Sequence, residues 1–555
     1  AAHKGAQAAD IKVSGEWDFN TEWNNIGFAK EKADDLFHAR QRLRTQVDII
    51  ASESLKGTVF FEVGDTNWGN SSEGGALGTD GKVVEVRYSY VDWVVPQTDL
   101  RVRMGLQPFS LPNFVAGDPI MGSDDSDGAG ITLSYQFNDM AGMSLFWMRA
   151  ENDNTTIDRG VGNAMDFVGL SVPLTGEGWQ LNPWGMYGNL GKNSLNEVGE
   201  NGESLIVGLL PYGQDGVSVV AKDSNNPAWW LGIGGELTTF DPLRLAFDFA
   251  YGKADWGKAA NGQDLTRQGW LLSGIAEYKL DYVTPGLIAW YGSGDNSDTM
   301  DGSERLPTLS PGWGATTLGW DGAYGISDGA VLSNTPTGTW GVVARLADIS
   351  FFENLTHTLA VGFYTGTNNT RMVTSGPVGG VESGNVYLTT KDHAWEVNFD
   401  SQYKIYENLT LAAEMGFVRL DLDKDVWGSK LSGVDKTAYN APDELTLTLT
   451  HEDVWLDYFE DKKRLILSMR AGFPLTPIEE GLTIRTSTDV VRLVVYSKAF
   501  QARLAQLKKS GFTVQSAEIG FIVAWRKNPE DPELAVVLPT LHLKRGNSAQ
   551  TELIF

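Results

Sequence analysis

The sequence of 555 residues contains no cysteine, so disulfides, thiolate metal sites and cysteine nucleophiles are all excluded. That composition suits a chain that crosses an oxidising periplasm. Positive charge is scarce: 44 Lys+Arg against 71 Asp+Glu give a formal net charge of −27, which argues against a nucleic-acid surface. No run of about 18 apolar residues occurs, so no transmembrane helix is expected. The six histidines show no HxH or HExxH spacing, and no G-x-S-x-G, P-loop or dinucleotide fingerprint falls in a strand–helix context. No catalytic constellation remains, and the chain is not expected to be an enzyme. The acidic stretch SDDSDG (123–128) fails as an EF-hand, because the twelfth position is Ser134 where glutamate is needed. No cofactor is expected. Weak divalent-cation binding stays open for acidic loops such as GDNSDTMDGSE (294–304).

Glycine (63 residues) and aromatics (11%) are abundant, which points to an all-β chain rich in turns. From residue 10 the period is 2. In LRLAFDFAYG, Leu243, Leu245, Phe247, Phe249 and Tyr251 alternate with Arg244, Ala246, Asp248 and Ala250. In AWEVNFDSQYKI, Trp395, Val397 and Phe399 face away from Glu396, Asn398 and Asp400. Such segments of about ten residues match one tilted membrane crossing. Short polar turns (51–54, 96–98, 138–142, 174–177, 241–242, 281–285, 353–357, 407–408) take turns with long Gly/Asp/Asn-rich loops. The long ones run over 24–36, 69–82, 111–128, 153–163, 191–226, 254–266, 295–338, 369–392 and 422–440. This predicts about 18 strands, with 16 as the alternative count, in a transmembrane antiparallel β-barrel whose long loops share one end. Trp93, Trp229, Trp230, Trp340, Tyr403 and Tyr406 near strand ends suit the aromatic girdles of the lipid–water boundary. A soluble sandwich or propeller is the competing architecture.

The barrel is expected over residues 10–459. Residues 1–9 read as a leader or export-signal remnant, on the small-x-small pattern Ala6-Gln7-Ala8. Residues 460–555 read as an extension of different character. From 441 onward the chain holds only 5 of the 63 glycines and 2 of the 19 tryptophans. There DVVRLVVYS reads as a strand, KAFQARLAQLKKSGF as a helix ended by Gly511, and VQSAEIGFIVAW as a strand, a small α/β-like pattern.

The stretch FHARQRLRTQVDII (37–50) sets Arg40, Arg42 and Arg44 on one face of a strand. In a barrel that face lines the lumen, joined by Arg87, Arg101 and Arg103 on neighbouring wall. The third long loop, LPNFVAGDPIMGSDDSDG (111–128), carries Asp118, Asp124, Asp125 and Asp127. If it folds inward, acids face arginines across a constriction whose transverse field separates ions and orients dipolar solutes. The plainer alternative is a wet polar lumen with the loop outside.

ADIKVSGEWDF (9–19), FHARQRLRTQVDIIASESLKGTVFFEVGDTNWG (37–69) and ENLTLAAEMGFVRLDLD (407–423) resemble the homotrimeric outer-membrane porins of sulfate-reducing, Desulfovibrio-type bacteria. The likeness runs over about residues 9 to 440. It implies a trimer of water-filled barrels in the bacterial outer membrane, in contact with membrane lipid and lipopolysaccharide. It also implies passive diffusion of small hydrophilic solutes and ions, narrowed by the third loop. A substrate-specific outer-membrane channel and a non-conducting surface or structural protein are the competing functions.

Overall fold

Alternation governs the architecture. The computed structural model describes residues 10–24, 36–79, 81, 84–122, 126–152, 164–194, 202–212, 219–220, 225–326, 330–378 and 384–431. In the last part of the chain it describes the strands 443–451, 455–459, 464–468, 482–485, 490–493, 513–523, 535–545 and 548–553.

Among the described residues, eighteen long strands build one sheet. The first six are β1 (Asp10–Asn24), β2 (Leu36–Ser52), β3 (Leu55–Asn67), β4 (Glu85–Val94), β5 (Arg101–Pro108) and β6 (Asp127–Asn138). Then come β7 (Ala141–Asn152), β8 (Ala164–Ser171), β9 (Trp179–Gly191), β10 (Asn225–Leu237), β11 (Leu243–Ala259) and β12 (Asp264–Tyr278). The last are β13 (Thr284–Gly292), β14 (Thr339–Phe352), β15 (Leu355–Gly366), β16 (His393–Tyr406), β17 (Leu409–Asp421) and β18 (Asp443–His451). Each strand bonds to its neighbour in sequence, and β18 pairs with β1, so the sheet closes on itself. Closure leaves no free edge, which is how a barrel satisfies its backbone without water. Two short pieces, Leu174–Gly176 and Val219–Val220, also join this sheet. The count of 18 long strands agrees with the alternating connections read from the sequence.

The register fixes which face is which. Along β11, Leu245, Phe247 and Phe249 are exposed, while Ala246 and Ala250 are buried. On β16 Trp395 and Val397 are exposed, while Glu396 and Asn398 are at most 1% exposed. The apolar set thus faces outward and the polar set inward, the reverse of a water-soluble fold. Aromatics band the outward face at both ends. Trp93, Phe137, Tyr278 and Phe352 are exposed at the turn end, and Tyr291 and Trp395 at the loop end. On β12, eight residue steps separate Tyr278 from Trp270. At ~3.4 Å each on strands tilted by ~40°, they rise about 21 Å, close to the ~25 Å apolar band of outer-membrane barrels.

Two details depart from the sequence reading. Trp230 is not part of a girdle: it is 0% exposed, and its indole N–H donates to Pro307 O at 2.9 Å. Only its neighbour Trp229 alternates to the outside, where its ring lies tilted against Tyr251 with centroids 5.2 Å apart. Nor is 254–266 a long loop, because β11 runs on to Ala259 and β12 begins at Asp264. Other long loops carry short helices, Gly202–Leu209, Arg371–Thr374 and Lys424–Trp427.

Beyond the sheet, the described tail elements are strands. Trp455–Phe459 pairs with Arg464–Ser468, and Leu482–Arg485 with Val490–Leu493. Ala535–Arg545 lies between Thr513–Val523 and Ser548–Leu553, all antiparallel. The helix read over 498–512 lies outside the described residues, as does the leader 1–9.

Candidate functional site: a charged wall and two crossing loops

The inward face of β1 offers Asp18, Asn20, Glu22 and Asn24, each at most 2% exposed. The arginine ladder of β2 stands beside it. Arg40 Nη2 donates to Glu22 Oε2 at 2.7 Å, and Arg42 Nη2 to Asp18 Oδ2 at 3.4 Å. On the other side Arg44 Nε donates to Glu62 Oε2 at 2.6 Å, directly across the β2–β3 pair. Wall acids on both adjacent strands therefore clasp the ladder in the plane of the sheet. Such pairs are charge-assisted and held by the rigid sheet.

Two irregularities aim this cluster. Between the Phe60–Tyr88 and Phe61–Val86 pairs the register shifts, and Arg87 is the extra residue. Plain alternation would set Arg87 with Ser89 and Val91, opposite Tyr90 and Asp92. The bulge turns it inward instead. There it bonds Glu62 at 3.3 Å and Asp127 at 3.0 Å. A second shift places Gly64 and Asp65 opposite Arg42. Gly64 has φ +158, and a Cβ there would lie 2.9 Å from Arg42 Cα, so a side chain is excluded.

Arg103 forms a separate pair. It forks onto Asp92 at 2.8 and 3.0 Å, its direct partner across β4–β5, with Tyr90 4.2 Å away below the guanidinium. Arg101, nearer the turn, is exposed. Asp124 and Asp125 lie outside the described residues.

The third loop (109–126) crosses to the far wall. Asp248 on β11 alternates inward between Phe247 and Phe249, and accepts from Phe114 N at 2.9 Å and Val115 N at 2.8 Å. Arg244, four residues earlier on the same face, donates to Phe114 O at 2.9 Å. Arg244 is itself held by Glu236 and Glu277 at 2.6 and 2.7 Å. Asp118 does not reach out to an arginine. Its carboxylate accepts from Leu111 N at 2.6 Å and Ile120 N at 2.9 Å, closing the loop on itself. Burial pushes Asp118 up to about 6, with those backbone amides pulling the other way.

A second loop, 293–338, meets the first. Gly117–Asp118 pairs antiparallel with Gly312–Trp313. Gly117 has φ +98 and a Cβ there would lie 2.3 Å from Gly312 O, so this crossing also requires glycine. The second loop is pinned to the wall by inward acids. Glu396 accepts from Thr316 Oγ1 at 2.8 Å, Gly319 N at 2.9 Å and Tyr364 OH at 2.8 Å. Asp400 takes Thr317 Oγ1 at 2.6 Å, and Glu414 takes Tyr324 N at 2.7 Å. Trp313 and Trp320 pack edge-on against Trp290, with centroids 4.7 and 5.3 Å away. Above them, Asp295 accepts from Tyr387 OH at 2.5 Å, and burial with that carboxylate raises the Tyr387 phenol well above its ordinary range.

The structure thus brings Arg40, Arg42, Arg44, Arg87 and Asp127 into one cluster with Asp18, Glu22 and Glu62. It sets Arg103 with Asp92, and spends Asp118 inside its own loop. Sequence reasoning missed the anchors Asp248, Glu396 and Glu414. Alternation had already placed Asp248 and Glu396 inward, but no periodicity names a partner 134 residues away for the one or 80 for the other.

No family model and no curated protein matches this sequence. Among solved structures the chain is similar to a BenF-like porin from Pseudomonas fluorescens Pf-5, at 10% identity over 80% of this chain and 98% of that one, with a TM-score of 0.47. It is similar to OccK2 (OpdF) of Pseudomonas aeruginosa in complex with glucuronate, at 11% identity over 80% and 98%, TM-score 0.46. It is also similar to OpdQ of Pseudomonas aeruginosa, at 14% identity over 80% and 97%, TM-score 0.45. The closed sheet of eighteen strands rests on the pairing described above, independently of these likenesses.

Proposed function

We propose that the chain is an outer-membrane porin that passes small hydrophilic solutes and ions by passive diffusion. One observation carries this reading: the closed sheet is apolar and aromatic-banded outside, polar and charged inside. Lipid is the solvent that suits the first face and water the one that suits the second. The two crossing loops narrow the passage, and the arginine–acid wall of β1 to β4 supplies the local field along it. Arg40, Arg42, Arg44 and Arg87 are the residues proposed to line the path, with Asp127 facing them. Arg101 and Arg103 would act nearer the turn end. Asp118 contributes by shaping the third loop.

Assembly as a homotrimer of the kind found in sulfate-reducing bacteria, in contact with lipid and lipopolysaccharide, belongs to the same proposal. Light scattering in mild detergent tests it, and a monomer mass would count against it.

Single-channel recording in planar bilayers tests the function. A conductance that grows with salt without saturating fits the diffusion porin. A current saturated by one solute fits a substrate-specific channel, a reading favoured by the presence of two crossing loops where one would already narrow a lumen. No conductance from inserted protein would leave a structural role.

A further inference from the structure

Two depressions on the outward face of the wall meet at Tyr291. The larger, about 930 Å³, lies over β10 to β13. Register sets Gly235, Phe247, Gly274 and Ala289 in one outward row across those four strands. The next row holds Leu237, Leu245, Ala276 and Leu287. Small residues floor the groove and large ones wall it: Leu272 and Leu287 are 47% and 49% exposed. Above Gly274 there is room, since the nearest atom to an added Cβ is Ala246 O at 3.6 Å. From Tyr291 to Leu287 the groove runs about 14 Å along the strand, which at a tilt of ~40° is about 10 Å of depth, close to half of the ~25 Å apolar band.

The smaller depression, about 520 Å³, opens at the loop end of the same wall. Its floor is aromatic: Phe363 packs against Trp340 and Trp395, with centroids 5.7 and 4.7 Å away. Its rim is polar, with Thr390 and Lys391 exposed. The neighbouring charges are already engaged. His393 faces Asp421 at 3.5 Å, and Asp392 is turned inward onto Thr389 N and the Trp427 indole. Among the described residues no carboxylate pairs with Lys391. The rim therefore presents one free cation above an aromatic bed, at the upper end of an apolar groove.

We propose that this stretch of wall holds one membrane lipid with an anionic phosphate headgroup, its acyl chain in the Gly274 groove and its phosphate at Lys391. The occupant must be apolar along one end and anionic at the other, which a phospholipid is and a neighbouring barrel wall is not. The aromatic bed suits the glycerol and carbonyl region between the two. The inference rests on the outward face being membrane-immersed, a reading that bilayer conductance tests separately.

The test is native mass spectrometry of the full chain in mild detergent. It would be titrated with palmitoyl-oleoyl phosphatidylglycerol, with the matching phosphatidylcholine, and with inorganic phosphate alone. One retained phosphatidylglycerol is expected, preferred over phosphatidylcholine, with no retention of free phosphate. Filling the groove with Gly274→Trp should weaken retention of both lipids by about tenfold, the loss of roughly two buried methylene groups. Lys391→Glu should remove the preference and leave chain binding intact. Ala289→Phe repeats the groove test if Gly274→Trp fails to insert. Unchanged retention in an inserted groove variant would overturn the proposal. So would a fall in oligomeric mass without lipid loss, which would make the groove a contact between copies of the chain.

Discussion

Glu62 on β3 accepts from Arg44 at 2.6 Å and from Arg87 at 3.3 Å, so one carboxylate serves two guanidinium groups from the strands on either side. This fixes the sign and position of charge on the inner wall. The ladder is not bare positive charge but an alternating lattice of fixed arginines and acids. On the proposed function, a passing ion would meet both signs along this wall.

The arginines should nonetheless decide the balance of that lattice. Arg42→Glu with Arg44→Glu should leave Asp18 and Glu62 facing new carboxylates. The path should become cation-preferring, with the permeability ratio changing by about tenfold at low salt. The change should be smaller once the Debye length falls to about 8–10 Å. Reversal potentials across a salt gradient measure it. An unchanged potential in the double variant would mean these residues stand off the conducting path.

Asp118 predicts a pH dependence opposite to that of most carboxylates. Its folded value of about 6 lies above the ordinary 3.8. The folded chain therefore binds this proton more tightly than the unfolded one, and stability is lost as pH rises through about 6. The wild type minus Asp118→Asn difference in guanidinium unfolding should thus shrink from pH 4 to pH 7, by up to roughly 3 kcal/mol. A difference that grows with pH would show that the amides of Leu111 and Ile120 outweigh burial.

How much of this was legible in the sequence follows from the range of each interaction. Phe247 outward and Asp248 inward could be read directly, because strand alternation is local. Arg87 was placed on the inner face although strict parity opposes it, and the bulge that puts it there depends on the pairing with β3. Trp230 looked like a girdle residue because adjacent tryptophans near a loop suit either face; its buried bond to Pro307 comes from a loop 77 residues later. Asp18 and Glu22, four apart on β1, were a usable signal for partners of the ladder. The loop crossings had none, since an Asp248 carboxylate looks the same whether it faces water or Phe114 N.

The tail is expected to be separable from the pore. The last wall strand ends at His451, and the strands beyond pair among themselves from Trp455 onward. A chain truncated after Phe459 should insert, migrate as a folded barrel on an unheated gel, and keep its single-channel conductance. Loss of assembly would assign the tail a role in closing or delivering the barrel.

The two crossing loops should behave as one unit. Asp248 anchors the first and Glu396 the second, and the loops bond to each other through Gly117–Asp118 and Gly312–Trp313. Asp248→Ala leaves two backbone amides without their acceptor, and Glu396→Ala leaves five donors in the same state, two of them backbone amides of the second loop. Each is expected to cost about 1–3 kcal/mol of local stability and to raise conductance or its noise. Independent sites this far apart in the fold would add within about 0.5 kcal/mol. Because releasing either anchor strains the shared pairing, the double variant should lose less than the sum, with a coupling of roughly 1 kcal/mol. Unfolding of the two single variants and the double variant, each checked for insertion, measures that coupling. Strict additivity would mean that the loops are held by the wall alone and that their mutual pairing contributes nothing to the constriction.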